Sequence, residues 1–461
     1  AAGDSADSAQ RAPERPGARG LPMLANSLAL IMGKLATMGL GFLAWMAAAR
    51  YFSQSEVGLA SGVVSATMLC VQISLFGAGA ALISLYPHHK RQPNRLLDTA
   101  ITSVILFAGV AAAAFVLLAS SVFRELRIVA ERPSYAAIFL IMAVAGTLGV
   151  LLDQLATALR RGDFVLVRGL VSGLLTVTLV ISLPRVAGFE SAIGILVAWA
   201  AASVSMVAIG WLQLWRALPQ YRYRPRLHWD LAQEQARVGF PNWVLTLAER
   251  APGAVLPIVV TELLSPRANA AWYSAWMMAW VVYVVPVQVG LNLFAEASHK
   301  PESMSDAVRH SVLTSLAVGA LAAAGSAVVG PILLGFLGQG YADLGTTPLR
   351  ILVLAVVPFT FVQAYFSVCR ARNELTGAIV MGILAGGVGV GAAAVAGTSY
   401  GLIGMAAAWL AVQSVAGAWA LYRLRRLMRQ SNHKLKREQT SVSAANNLAG
   451  RMPAGDPAPF A

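Results

Sequence analysis

Apolar stretches long enough to cross a bilayer recur along this chain, parted by short polar connections. A hydrocarbon core of about 30 Å needs roughly 20 apolar residues of helix. Twelve segments meet that length: Met23–Ala49, Val57–Tyr86, Leu97–Phe123, Tyr135–Leu159, Phe164–Leu183, Ser191–Leu214, Phe240–Leu264, Ala271–Phe294, Ser311–Leu337, Leu349–Cys369, Leu375–Ala396 and Gly401–Leu424. One connection differs from the rest: Trp215–Gly239 is long, polar and arginine-rich, with Tyr221-Arg222-Tyr223-Arg224-Pro225-Arg226 near its start. It divides the spans six and six. The pattern predicts an all-α integral membrane protein of about 12 transmembrane helices, with an N-terminal lobe over 21–218, a basic linker over 219–238 and a C-terminal lobe over 239–425. The flanks, 1–20 and 426–461, are polar and rich in small residues, and are expected to be disordered. The leader has no apolar run directly behind its arginines and no early A-x-A site, so a cleavable signal is not expected.

Composition sharpens this picture. Apolar residues make up 57% of the chain and charged residues 12%, against about 45–50% and about 25% in soluble domains. So few charges could not cover a soluble surface. The excess of 35 Lys and Arg over 21 Asp and Glu would suggest nucleic acid in a soluble protein. Here it fits cytoplasmic loops held against an anionic leaflet, and no nucleic-acid partner is expected. With the N-terminus inside, 25 of the Lys and Arg residues fall on the cytoplasmic side and 6 outside, which places both termini in the cytoplasm. Cys70 and Cys369 form no CxxC, and the six histidines show no metal-ligand spacing. No GxSxG, phosphate loop or HExxH is present. An enzyme is not expected, nor a metal or cofactor.

Ionisable groups at bilayer depth are expensive and need an explanation. Lys34 lies fifteen residues beyond Arg19, ~22 Å along the first helix, in a stretch that also carries Asn26 and Ser27. Glu249 and Arg250 lie near the middle of the seventh span. A weak repeat relates the two: aligning Ser53, after the first span, with Ser265, after the seventh, gives an offset of 212. Under it Lys34 corresponds to Thr246, one helical turn from Arg250. Parallel repeats of this kind bind substrate between them near the midplane. Lys34 and Arg250 are therefore candidates to line a cleft with positive charge. The alternative is that Glu249 merely neutralises Lys34. Pro252 and Gly253 interrupt the same helix and make a candidate hinge, and Pro286 and Pro358 mark further bends. Asp153 and Arg168 sit near the cytoplasmic ends of consecutive spans, as a structural ion pair or an inner gate. Arg350 is expected to snorkel. Gln72, Gln288, Asn292 and Gln363 suit a wet cavity or helix–helix hydrogen bonds. Gly382, Gly386, Gly387, Gly389 and Gly391 suit close helix packing. The run Trp272, Tyr273, Trp276, Trp280, Tyr283 starts as an aromatic belt, with its deeper members placed to flank a sugar-bearing cavity.

The run Ala49-Arg50-Tyr51-Phe52-Ser53-Gln54-Ser55-Glu56-Val57-Gly58 resembles the segment after the first helix in bacterial polysaccharide exporters. Asn269 through Ala271-Trp272-Tyr273 to Phe294-Ala295-Glu296 is similar to their seventh-to-eighth helix region. These are the Wzx-type oligosaccharide-lipid flippases of the MOP superfamily, relatives of lipid II flippases and MATE exporters, and the resemblance covers about residues 21–425. It implies two six-helix lobes that alternate access and a bacterial inner-membrane location. The implied substrate is a polyprenyl-pyrophosphate-linked oligosaccharide moved from inner to outer leaflet for cell-surface polysaccharide, including lipopolysaccharide. Implied partners are membrane lipid, the lipid-linked oligosaccharide, and polysaccharide polymerases or glycosyltransferases. On this reading Lys34 and Arg250 hold the pyrophosphate, with Glu249 modulating them and Asn26 nearby. Coupling to an ion gradient is left open. Two rival readings stand beside it. One is a MATE-like cation-coupled drug exporter, which would want carboxylates in its cleft. The other is a non-transporting scaffold that recruits synthesis enzymes through its basic tail (Arg425, Arg426, Arg429, Lys434, Lys436, Arg437).

Overall fold

A computed structural model describes residues 20–89, 93–299 and 304–449; for 20–31, 34, 35, 295, 297–299 and 430–449 it describes the course of the backbone alone. Residues 1–19 of the expected leader and the last twelve residues lie outside the described residues. Among the described residues every regular element is helical: α1 Gly20–Tyr51, α2 Gln54–Ser74, α3 Ala78–Leu85, α4 Pro93–Val122, α5 Ile128–Glu131, α6 Pro133–Ala158, α7 Gly162–Ser182, α8 Ala192–Ala217, α9 Trp229–Leu263, α10 Pro266–His299, α11 Met304–Leu337, α12 Gln339–Leu354, α13 Val356–Ala371 and α14 Leu375–Ala449, with one short 3-10 turn at Leu183–Arg185. Nine of the described helices are long and apolar enough to cross a bilayer, and α12 with α13, bent by 44°, makes a tenth span. One of the nine is α14, which holds two of the twelve expected stretches, and α1 holds another. The outward faces carry large apolar side chains such as Leu117, Leu321, Phe336 and Val395, as a protein solvated by acyl chains requires.

The breaks have identifiable causes. Gly401 leaves the helical region with φ 58° and ψ −149°, dividing α14 into two helices where the apolar pattern also pauses. The second span, expected as one helix over Val57–Tyr86, is broken without proline. Phe76 and Gly77 take positive φ, and Gly77 faces Gly239 of α9 so closely that a Cβ on either would lie within 2.4 Å of the other's backbone. Two backbones can meet this closely only where both residues lack a side chain. Pro286, by contrast, lies inside a continuous α10, and the bend near Pro358 falls at Ala355, between α12 and α13. Beyond Arg426 the backbone of α14 continues as helix to Ala449, where the sequence reading expects a disordered tail.

The chain divides into two compact units, Ala1–Trp243 and Val244–Ala461, with the boundary inside α9. Each has its own core. In the first, Leu82, Leu97, Ile101, Leu151, Leu155 and Leu214 pack together. In the second the core gathers Leu245, Val362, Tyr365, Phe366, Met381 and Leu424.

The segment expected as a basic linker is hydrogen-bonded to α4. Asp98, only 5% exposed, accepts from the Tyr221 hydroxyl (2.9 Å) and the Arg224 backbone N–H (3.0 Å). The His228 N–H donates to Thr99 Oγ1 and the Gln235 amide to the Leu96 carbonyl. A buried carboxylate is tolerated only when hydrogen-bonded, so this acid selects the strap's path across α4. Burial first, and then the Asp98 carboxylate, push the Tyr221 phenol far above its ordinary range.

The two units share one local device. Ser53 caps α2 by accepting from the Glu56 N–H at 3.3 Å, and Ser265 accepts from the Ala268 N–H at 3.1 Å at the start of α10. Both bonds join residues three apart, as N-caps do, and the two serines are those aligned by the offset of 212. Glu56 goes further: its Oε2 accepts from the Ala192 N–H at 2.6 Å, ending the α8 N-terminus and tying it to α2.

Candidate functional site: an ion pair and an exposed arginine on α9

Helix α9 carries Glu249 and Arg250 side by side. Glu249 is drawn inward, 13% exposed, and Arg250 stands exposed. Glu249 Oε2 accepts from Arg370 Nη2 at 2.7 Å and Oε1 accepts from Gln363 Nε2 at 3.2 Å. Gln363 and Arg370 lie two turns apart on one face of α13. Side chains on a helix lean toward its N-terminus, so the long Arg370 stem can reach back to the carboxylate that Gln363 also meets. Glu249 therefore has a counter-ion within its own unit.

Arg370 is the residue the sequence reading missed. Directly after Cys369, at the end of an apolar span, it reads as one more cytoplasmic loop cation. Its seven-residue spacing from Gln363 was the available signal, without an indication of which helix would face it.

Close packing fixes the neighbourhood. A Cβ on Gly382 would lie 3.1 Å from Ala248 Cβ, and one on Gly386 would lie 3.1 Å from Pro252 Cγ. These two glycines of α14 let it lie against α9 beside the Glu249–Arg250 pair, whereas Gly387 and Gly391 face open space. α9 stays helical through Pro252 and Gly253, and Gly253 sits against the Trp276 indole. A hinge here would have to move against both α14 and α10.

The aromatic run does not form a belt. Trp272 is fully buried and stacks on Trp276 at 6.0 Å, and Tyr283 is buried with its hydroxyl donating to the Leu352 carbonyl. Trp276, Trp280, Tyr283 and Trp409 instead close over Glu249 and Gln413 around a cavity of about 20 Å³. That volume holds about one water, and no sugar. Buried aromatics here fill the interior of the second unit.

The first unit holds a second ion pair. Arg168 donates from Nη2 (2.7 Å) and Nε (3.1 Å) to Asp153 Oδ1, joining α7 to α6. The arginine is 2% exposed and the acid 32%. Gly210 of α8 makes room for the guanidinium, since a Cβ there would lie 2.9 Å from Arg168 Nη1. Lys34 and Asn26 belong to α1, and their side chains lie outside the described residues. α1 itself packs along α7, where a Cβ on Gly33 would lie 3.0 Å from the Leu166 backbone. Arg350 is exposed on α12. No group of three or more His, Cys, Asp or Glu able to hold a metal occurs among the described residues.

Among the described residues, nine or ten helical spans long and apolar enough to cross a bilayer define a multi-pass membrane protein. The fold is similar to an inward-facing multidrug resistance MATE family transporter of the MOP superfamily (TM-score 0.64, 14% identity, 88% of this chain and 99% of that one). It is similar also to a MOP superfamily transporter from Pyrococcus furiosus described as having a binding pocket of reversed polarity (0.61, 14%, 89% and 96%). A MATE transporter from Vibrio cholerae matches likewise (0.59, 16%, 89% and 97%). No curated protein matches the sequence. The family described as polysaccharide biosynthesis protein matches residues 23–294. The chain belongs to that family, a Wzx-type flippase family of the MOP superfamily, whose members are transporters rather than enzymes.

Proposed function

We propose that this chain flips a polyprenyl-pyrophosphate-linked oligosaccharide from the inner to the outer leaflet of a bacterial cytoplasmic membrane, by alternating access and with both termini in the cytoplasm. The carrying observation is the charge state of α9. Glu249 is matched by Arg370. Arg250, ~15 Å from Phe240 and ~20 Å from Leu263 along the helix, enters no ion pair among the described residues. The local balance at mid-span is thus positive. A pyrophosphate is attracted to a fixed cation in low dielectric, whereas cation-coupled drug export would want an unmatched carboxylate there. Lys34, at comparable depth in the first helix, supplies the second cation of the proposal, with Asn26 toward its N-terminal side.

The test is a proteoliposome assay with a fluorescent polyprenyl-pyrophosphate glycan. The Lys34→Ala/Arg250→Ala double variant should insert normally and lose flipping. Wild-type flipping by that variant would overturn the reading, as would cation-dependent drug efflux by the wild type in place of flipping.

A further inference from the structure

On the first unit, α6 and α8 part to leave an open apolar groove of about 630 Å³, walled by Leu140, Ile141 and Val144 on one side and Val204, Ala208 and Trp211 on the other. On α8 it starts ~9 Å from the helix end at Ala217 and reaches ~20 Å from it at Val204. That is the depth of acyl chains within one leaflet. Apart from the Trp211 indole, its walls are aliphatic side chains with nothing to offer a sugar or a peptide.

The groove does not stop at Trp211. The same indole lines a second, smaller cavity of about 70 Å³ with Trp215, Tyr221, Arg222 and Tyr223. Trp211 meets Tyr223 edge-on at 5.7 Å, and Tyr223 is held by a 3.1 Å hydrogen bond to Thr102. Arg222 donates from Nη1 to the Pro219 and Tyr221 carbonyls, which anchors the guanidinium and leaves Nε and Nη2 outside those bonds. Residues 215–227 contain four arginines, Arg216, Arg222, Arg224 and Arg226, and no acid. All four are exposed.

We propose that this surface binds an anionic glycerophospholipid of the surrounding leaflet, its phosphate at Arg222 beside Trp215 and one acyl chain in the groove between α6 and α8. The charge of the strap selects the headgroup, because a guanidinium presents a fork of donors matched to phosphate. The branched apolar walls accept the chain, and the Trp and Tyr side chains sit at the level where amphipathic rings are favoured. An arginine-rich segment at a membrane surface favours anionic lipid by charge alone; the groove adds a seat for one molecule.

The experiment uses the full chain, purified in detergent and depleted of lipid, then exposed to dioleoyl phosphatidylglycerol or dioleoyl phosphatidylcholine, with bound lipid counted by native mass spectrometry. Phosphatidylglycerol should be retained over phosphatidylcholine by about fivefold or more, and Arg222→Ala should remove about fivefold of that preference. Ala208→Trp and Val204→Trp place bulk in the groove from exposed positions and should abolish retention while helical content and elution match wild type. Arg185→Ala, beyond the far end of α7, should change nothing. Equal retention of the two lipids overturns the proposal, as does full retention by both groove variants. One-for-one displacement of phosphatidylglycerol by a polyprenyl pyrophosphate would assign the surface to a transported lipid and overturn it too.

Discussion

The two units each bury an ion pair, and the pairs are built differently. In the first, Arg168 and Asp153 are fifteen residues apart and join consecutive helices across a short turn; the base is sealed and the acid is wet. In the second, Arg370 and Glu249 are 121 residues apart, and both partners are partly shielded. Burying a charge is tolerated when its partner and hydrogen bonds are in place, and costs most when one partner is removed and the other stays buried. The pairs should therefore differ in which half is indispensable.

Asp153→Ala should be the most damaging single change, since it strands a guanidinium with almost no access to water. A loss of about 3–5 kcal/mol is expected, read as reversible unfolding in a fixed detergent. Arg168→Ala leaves an acid that water can reach, and should cost less than half as much; equal losses would erase the asymmetry. In the second unit Arg370→Ala and Glu249→Ala should each cost about 2–3 kcal/mol, discounted for partial exposure. The Glu249→Gln/Arg370→Met double variant should recover most of that, and a double variant as unstable as either single would show that the pair acts through something other than charge. The repeated caps sharpen the likeness between units: Ser53→Ala and Ser265→Ala should each cost about 1 kcal/mol. Ser53→Ala should show the larger effect, since the cap holds the helix start from which Glu56 reaches α8. At the surface, Arg95→Ala removes a 3.3 Å pair with Asp230 in which both partners are well exposed and should be close to neutral.

Much of this architecture was legible in the residue pattern. Ten of the twelve expected stretches each follow one helix to within a residue or two, because long apolar runs leave the backbone no alternative in lipid. Those over Val57–Tyr86 and Leu349–Cys369 are broken within, and the pause before Gly401 marks a real break. The pairing of Asp153 with Arg168 was legible for a local reason: a short turn between spans brings neighbouring ends together. The partner of Glu249 was not, since nothing in a single sequence says which of several helices faces α9. The break at Phe76–Gly77 was hidden as well, because it answers to Gly239, far along the chain. Composition marks the strap as a basic linker and says nothing of how it is held, since the burial of Tyr221 against Asp98 depends on where α4 lies. It misled for the tryptophans of α10, since interior and interfacial aromatics look the same in a sequence.

The meeting of Gly77 with Gly239 has a consequence for how this protein can change. Neither position can acquire even a methyl group without prising two main chains apart, and shrinking the opposite residue offers no relief, because it is already the smallest. The usual route by which a packed site drifts, one side chain growing as its neighbour shrinks, is closed at this crossing. Variation in α9 and in the broken second span must flow around a fixed point shared by both.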